Sequence, residues 1–456
     1  MHFSIPDTEV LQDSSGTSFV GFHIHVNGVH HCTLRYKQIR HLHSLLKQEF
    51  GSAALCPFPP RQLLKLSVKQ IEERRIQLEN YLQKITRNPV IVSSTTFCTF
   101  LVSAQKETHN DNLEKVQLPI YLMDRQKTLV DVQSMEQSRT VLLKACEQLG
   151  IPAEVFGDLS LFILRREDNG SFSLVKQLQD FESPYLALRS VFGAVLLVIR
   201  KYTWDLSADA RFLLNASALD LLYAQTVADF ENGWLHATED QDIKLRLYQG
   251  RGDRLKFLEF ARNLKHYNYV QFMPCICDFP EPDSMAIVSA GNKELCFQIC
   301  GATGDIVQEW CFKVTRIRCW RITTLGDALN GTNSSNTAQL ELSFEYLMSK
   351  NKHRWITVRS SQVVLMSLTL QKMVEELVKK ANGDNSEQAG KIVTQNTLPY
   401  IRMDGSKQEI SSSSSSLAND TSDHSTPSRI TFKRDESRDR ISFGNSVYDD
   451  IGDDDL

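Results

Sequence analysis

The stretch "SFVGFHIHVNGVHHCTLRYKQIRHLHSLLKQEF", residues 18–50, carries the chain from strand writing into helix writing, and the rest is read outward from it. Residues 18–34 form two β runs around Asn27-Gly28, a pair suited to a two-residue hairpin because both turn positions need positive φ. With Val26 opposite Val29, His25 faces His30 and His23 faces Cys32, all on one sheet face. From Tyr36 the apolar residues change to helical spacing at Ile39, Leu42, Leu45, Leu46 and Phe50, so the junction falls on Arg35-Tyr36.

Downstream come a proline-rich loop, "CPFPPR", and two helical patterns, each opened by a Ser that can cap it. This first unit, a small antiparallel sheet with helices, takes residues 1–106, and a polar linker, "KETHNDNLEK", follows. Residues 115–203 run in the order strand, strand, helix, strand, strand and close on "VFGAVLLVI" at 191–199. That run is too short to cross a membrane and reads as a buried, ubiquitin-like strand. Residues 206–267 are helical in pattern, and 268–380 return to period-two strands with one closing helix. The class is α+β, in several domains.

Residues 1–106 hold 12 Lys/Arg against 7 Asp/Glu, and residues 381–456 hold 8 against 14, so the front of the chain suits an anionic partner. No secretory signal opens the sequence, which favours a cytoplasmic protein with its ten cysteines reduced. No glycine-rich phosphate loop, metal-ligand ladder or nucleophile elbow is present, which argues against an enzyme and against a bound cofactor or metal. Three histidines and Cys32 on one face could hold zinc, but their spacing is not a zinc pattern, and surface or satisfied histidines are the simpler reading.

"LRYKQIRHLHSLL", "FPPRQLLKL" and "ERRIQLENYL" resemble the phox-homology (PX) domain, a phosphoinositide reader. Followed by ubiquitin-like, helical and PTB-like β-sandwich lobes, the chain resembles the PX-FERM sorting nexins, with "LDLLYAQTV", "TRIRCWR", "FEYLMSK" and the "IGDDDL" ending among the matching segments. The resemblance implies a cargo adaptor on the cytoplasmic face of early and recycling endosomes, binding phosphatidylinositol 3-phosphate through its PX domain. Arg35 would hold the 3-phosphate, Tyr36 pack under the inositol, Arg61 meet the 1-phosphate and Arg74 bond the ring hydroxyls. Lys37 stands where the family usually has Ser or Thr, adding a cation and removing a hydroxyl. Leu63 and Leu64 are equal candidates for dipping into lipid and for packing inside the domain.

The FERM module would take Asn-Pro-x-Tyr or Asn-x-x-Tyr signals from receptor tails, integrin-type tails among them. Trp320, Leu347, Val374 and Val378 would line the groove, although at such spacing apolar residues are commonly core. The resemblance implies no metal, no cofactor and no nucleic acid. A scaffold joining membrane to cytoskeleton, or to a small GTPase through the ubiquitin-like lobe, is the competing class.

Beyond Ala381 the polar, serine-rich tail reads as disordered. Near its end Phe443, Asn445 and Tyr448 repeat the Asn-x-x-Tyr pattern, so the tail offers a ligand to its own groove. About 60 flexible residues span roughly 45 Å, enough to reach it. Ile451, Gly452, Asp453, Asp454, Asp455 and Leu456 match an ending that, in the family, docks onto the retriever part of the Commander assembly.

Overall fold

A computed structural model describes residues 1–12, 16–62, 66–110, 114–168, 170–301, 303–324, 340–350, 352–381 and 397–411. In the first unit β1 (Phe3–Ser4) and β2 (Thr8–Gln12) lie end to end along one edge of β3 (Ser18–Val26), and β4 (Val29–Arg35) pairs with the other edge. Asn27 and Gly28 take φ of 53° and 82°, the turn their identity implies. Val26 opposes Val29 and His25 opposes His30, but there the expected register breaks. His31 is an extra residue, so Ile24 meets Cys32 and His23 meets Thr33. The bulge sends Cys32 and His31 into the interior, away from the other histidines.

Helices α1 (Tyr36–Phe50), α2 (Val68–Ile85), α3 (Pro89–Val92) and α4 (Thr95–His109) complete the unit. Ser67 and Ser94 cap α2 and α4, accepting from the Gln70 and Phe97 amides. Helix α4 runs beyond the expected end at 106 into the segment read as linker, stopping where Asn110 turns left-handed at φ 47°.

The second lobe contains β5 (Lys115–Tyr121), β6 (Lys127–Gln133), α5 (Ser138–Leu149), β7 (Leu159–Arg166), β8 (Phe172–Gln177), α6 (Pro184–Arg189) and β9 (Val195–Lys201). Its sheet order is β6-β5-β9-β7-β8, with β5 and β9 parallel. The apolar run is strand only from Val195 onward, and its last five residues are buried. The third lobe is α7 (Asp209–Leu213), α8 (Ala216–Glu231), α9 (Glu239–Arg251) and α10 (Arg254–Ala261).

The fourth contains β10 (Val270–Gln271), β11 (Cys275–Cys277), β12 (Ser284–Gly291), β13 (Glu294–Cys300), β14 (Ile306–Lys313), β15 (Ile317–Thr324), β16 (Leu340–Ser349), β17 (Lys352–Arg359) and α11 (Val363–Ala381). The strands run in the order β14-β13-β12-β11-β17-β16-β15, with α11 packed on β15 and β16. Cys296 and Cys311 sit directly opposite on β13 and β14 with Cα atoms 4.1 Å apart and form a disulfide, where the sequence implies reduced thiols.

The tail departs further from expectation. Within the stretch read as disordered, β18 (Thr397–Ile401) and β19 (Lys407–Ser411) pair as a hairpin and lie on the first unit. A two-stranded hairpin is marginal alone. This one is anchored by Tyr400, 3% exposed among the first unit's core residues.

The lobes are joined by buried contacts. Phe181, from the second lobe, lies in the first unit's core against His31, and the Ser183 amide donates to Gln105 at 3.1 Å. One continuous core includes Phe162, Leu174 and Val198 of the second lobe with Phe272, Phe344 and Leu370 of the fourth. Arg200 donates twice to Asp229 at 3.0 Å, tying β9 to α8, and Lys201 pairs with Asp209 out of water's reach. The Trp204 amide donates to Glu376 on α11, 3.0 Å away. The hairpin tip at Gly28 rests against Val364, and the Met1 amino group donates to Gln371, so the first unit also touches α11.

Candidate functional site

The basic site grows from the β4–α1 junction. Arg35 ends β4 and precedes α1 in extended conformation, its amide donating to the Gln38 side chain at 2.9 Å. Its guanidinium lies 4.0 Å above the Phe19 ring. Tyr36 opens α1 and donates its hydroxyl to the Pro59 carbonyl at 2.8 Å, which binds the proline loop to the helix. Arg74 arrives from α2, largely buried, stacked 4.4 Å from the Tyr36 ring and donating to the Pro60 carbonyl.

Arg74 thus stacks on Tyr36, while Arg35, its neighbour at the β4–α1 junction, stacks on Phe19, so each cation lies on an aromatic face. Such an arrangement suits a phosphate-bearing ring, because planar guanidinium forks match phosphate oxygens. Arg61 follows the same two prolines and Lys37 follows Tyr36, and both extend into solvent. Leu63 and Leu64 lie outside the described residues. Sequence reasoning missed Phe19 and Phe58. Phe58 packs 5.6 Å from Tyr36 and 4.9 Å from Tyr81, and its only signal was a place inside "PFPP". Arg75, beside Arg74, instead clamps Ile5 and pairs with Glu72 and Glu79.

Next to this site lies the tail hairpin. Arg35 donates to the Met403 carbonyl at 2.5 Å, and His41 contacts the Pro399 carbonyl at 2.7 Å. Burial, then the neighbouring Glu107 carboxylate, push the Tyr400 hydroxyl well above the usual tyrosine range. It stays protonated and donates to Glu107 at 2.9 Å.

The groove of the fourth lobe starts at β15, an end strand of the sheet. Trp320 stands opposite Phe344 on the face that α11 covers, and its indole N–H donates to Ser367 at 2.9 Å. Ser367, Val374 and Val378 share one stripe of α11 by helical spacing, with Val374 half-buried and Val378 39% exposed. By helical spacing Val374 and Val378 thus lie on the stripe of α11 whose Ser367 meets Trp320 on the end strand β15. Leu347 does not join them. It lies an odd number of residues from Phe344, opposite His353, on the other sheet face. Ser367, a serine inside an apolar helix, gave no signal of its role.

The clustered histidines keep no thiol. His30 lies 5.5–5.6 Å from His23 and His25 and 6.3 Å from His109, and Cys32 points into the core. Burial, then the neighbouring imidazoles, push His30 down to about 3. His23 sits 3.1 Å from Asp7. Residues 443–456, with both tail motifs, lie outside the described residues.

Four family models match: PX domain over residues 22–104, sorting nexin 17/27/31 FERM domain F1 lobe over 116–204, sorting nexin 17/31 FERM domain F2 lobe over 205–265, and sorting nexin 17 FERM C-terminal domain over 268–378. The chain is 43% identical to human sorting nexin-17 across 84% of its own length and 83% of that protein. It is 34% identical to human sorting nexin-31 across 90% and 93%. A solved MyTH4-FERM domain of Dictyostelium discoideum myosin VII aligns over 74% of each chain, at 12% identity and a TM-score of 0.41. Among the described residues no helix is long and apolar enough to cross a membrane. With a phosphoinositide-type unit and a protein-binding module on one chain, it belongs to the PX-FERM sorting nexins, non-enzymatic endosomal sorting adaptors that associate with membranes peripherally.

Proposed function

We propose that the chain holds phosphatidylinositol 3-phosphate with Arg35, Tyr36, Arg74, Arg61 and Lys37 while the β15–α11 groove binds Asn-Pro-x-Tyr or Asn-x-x-Tyr segments of receptor tails, keeping that cargo in recycling and out of degradation. The observation that carries the reading is the Arg74 guanidinium stacked on Tyr36 beside Arg35. Buried arginine of this kind is held by few protein acceptors and keeps donors for a ligand. Cargo would add a strand to β15, with Trp320 as the aromatic anchor and Val374 and Val378 closing the far wall. Two weak sites acting at one membrane gain roughly 10² to 10⁴ in avidity.

The terminal Asp453, Asp454, Asp455 and Leu456, with Ile451 and Gly452 before them, would recruit a retriever-type complex through the free carboxylate. Phe443, Asn445 and Tyr448 would compete with cargo. Sedimentation with phosphatidylinositol 3-phosphate vesicles tests the lipid half: Arg74→Ala should lose most binding, and unchanged binding would sink it. Calorimetry with an Asn-Pro-x-Tyr peptide tests the cargo half, and Tyr448→Ala should tighten that binding.

A further inference from the structure

We propose that the PX unit carries a peptide site whose ligand is the chain's own hairpin, residues 397–411, and that this hairpin and a phosphoinositide headgroup exclude one another. The inference rests on reading Arg35 as a phosphate ligand.

The contact is built from both partners. Tyr400 fills an apolar place 5.4 Å from the Phe100 ring, and its hydroxyl lies 2.9 Å from Glu107 and 3.2 Å from the Gln38 amide nitrogen. That nitrogen also donates to the Ile401 carbonyl at 3.1 Å, and Glu107 accepts from the Met403 amide. Gln38 is fully buried with the hairpin in place, so its amide nitrogen makes hairpin bonds where water is excluded. Gln38, His41 and Glu107 come from α1 and α4 and present donors and acceptors matched to β18 and the turn after it.

The hairpin turn then covers the cations. Arg35 donates to the Met403 carbonyl, and Gly405, left-handed at φ 92°, lies so close that a Cβ there would stand 3.4 Å from the Lys37 ammonium. Between them Asp404 accepts from the Ser406 amide and hydroxyl, within the electrostatic reach of Arg35 and Arg402. A carbonyl oxygen and a carboxylate therefore stand next to the two cations that a phosphate needs. A headgroup phosphate taking Arg35 would displace the Met403 carbonyl and face the Asp404 charge. Only about 15 residues join α11 to β18, which puts the hairpin at a millimolar effective concentration.

The full-length chain is compared with Tyr400→Ala and with Asp404→Lys, which leaves the buried contacts alone. Vesicle binding is measured with and without phosphatidylinositol 3-phosphate, and amide hydrogen exchange of 397–411 with and without a soluble short-chain form of that lipid. Both variants should bind the lipid vesicles several-fold more tightly than wild type. The soluble lipid should expose the 397–411 amides, and inorganic phosphate at the same concentration should leave them protected. Equal vesicle affinity for all three chains, or a hairpin still protected at saturating lipid, overturns the proposal. Unprotected hairpin amides in the free wild-type chain also overturn it, as does displacement by inorganic phosphate. Failure of the underlying lipid reading looks different: no chain binds the vesicles, whatever the state of the hairpin.

Discussion

Arg200 donates two hydrogen bonds to the Asp229 carboxylate, and both side chains are buried. Removing one partner strands the other charge, so Asp229→Ala should lower unfolding stability by about 3–5 kcal/mol. Arg200→Met with Asp229→Leu should recover most of that loss in urea titrations, whereas equal losses in both variants would contradict an electrostatic origin. Histidines set the pH response. Burial pushes His30 to about 3 and His266 to about 4, in each case helped by neighbouring imidazoles. Both lie below the unfolded imidazole value near 6.5, so the unfolded chain binds more protons in between. The stability they contribute is full above about 6.5 and falls as pH drops toward these folded values. The melting temperature should therefore drop several degrees from pH 7.5 to 5, and His266→Gln should flatten that slope. At this scale local pattern located the strand-to-helix junction at Arg35-Tyr36, whereas the roles of Arg35, Tyr36 and Arg74 came only from the family resemblance. The histidine register was not, since one inserted residue at His31 is invisible to alternation.

The elements were legible where local chemistry dictates them, as at the Asn27-Gly28 turn and the capping serines of α2 and α4. Which strand ends the sheet was not, because the order β17-β16-β15 is settled by packing under α11 rather than by any one strand's residues. Leu347 shows the same limit in miniature: its helix-facing or outward position depends on parity from Phe344. The hairpin 397–411 escaped because averaging over a polar tail dilutes "TLPYI", whose single aromatic finds its partners some 300 residues earlier at Glu107. The groove that these elements form makes a sharp prediction. Trp320 is a half-buried aromatic at an open edge, the kind of residue that carries interface energy. Trp320→Ala should weaken an Asn-Pro-x-Tyr peptide by about tenfold or more, with vesicle binding unchanged. Parallel loss of both activities would point to a folding defect instead, which circular dichroism of the variant would reveal.

At the level of the whole molecule, pattern divides the chain into a PX unit and FERM lobes, and the structure shows that they share buried surface. Phe181 leaves its own lobe to sit, 4% exposed, in the PX core against His31, whose ring lies 3.7 Å from Glu182. Behind it Glu182 pairs with Lys176, so the seam is apolar at its centre and ionic on the second lobe's side. Truncating a buried phenylalanine costs about 3–5 kcal/mol, and here the loss falls on the contact between two units rather than on either core alone. Calorimetry of wild type should therefore give coupled unfolding of the PX unit with the FERM lobes. In Phe181→Ala the PX transition should separate to lower temperature while the FERM transition stays nearly in place. A single transition that shifts as a whole would mean that Phe181 supports one common core, and no shift would mean that the seam contributes little. Separation would also loosen the fixed spacing between Arg35 and the β15 groove, so cargo peptide anchored on a lipid vesicle should lose avidity in Phe181→Ala even though each site, tested alone, keeps its affinity.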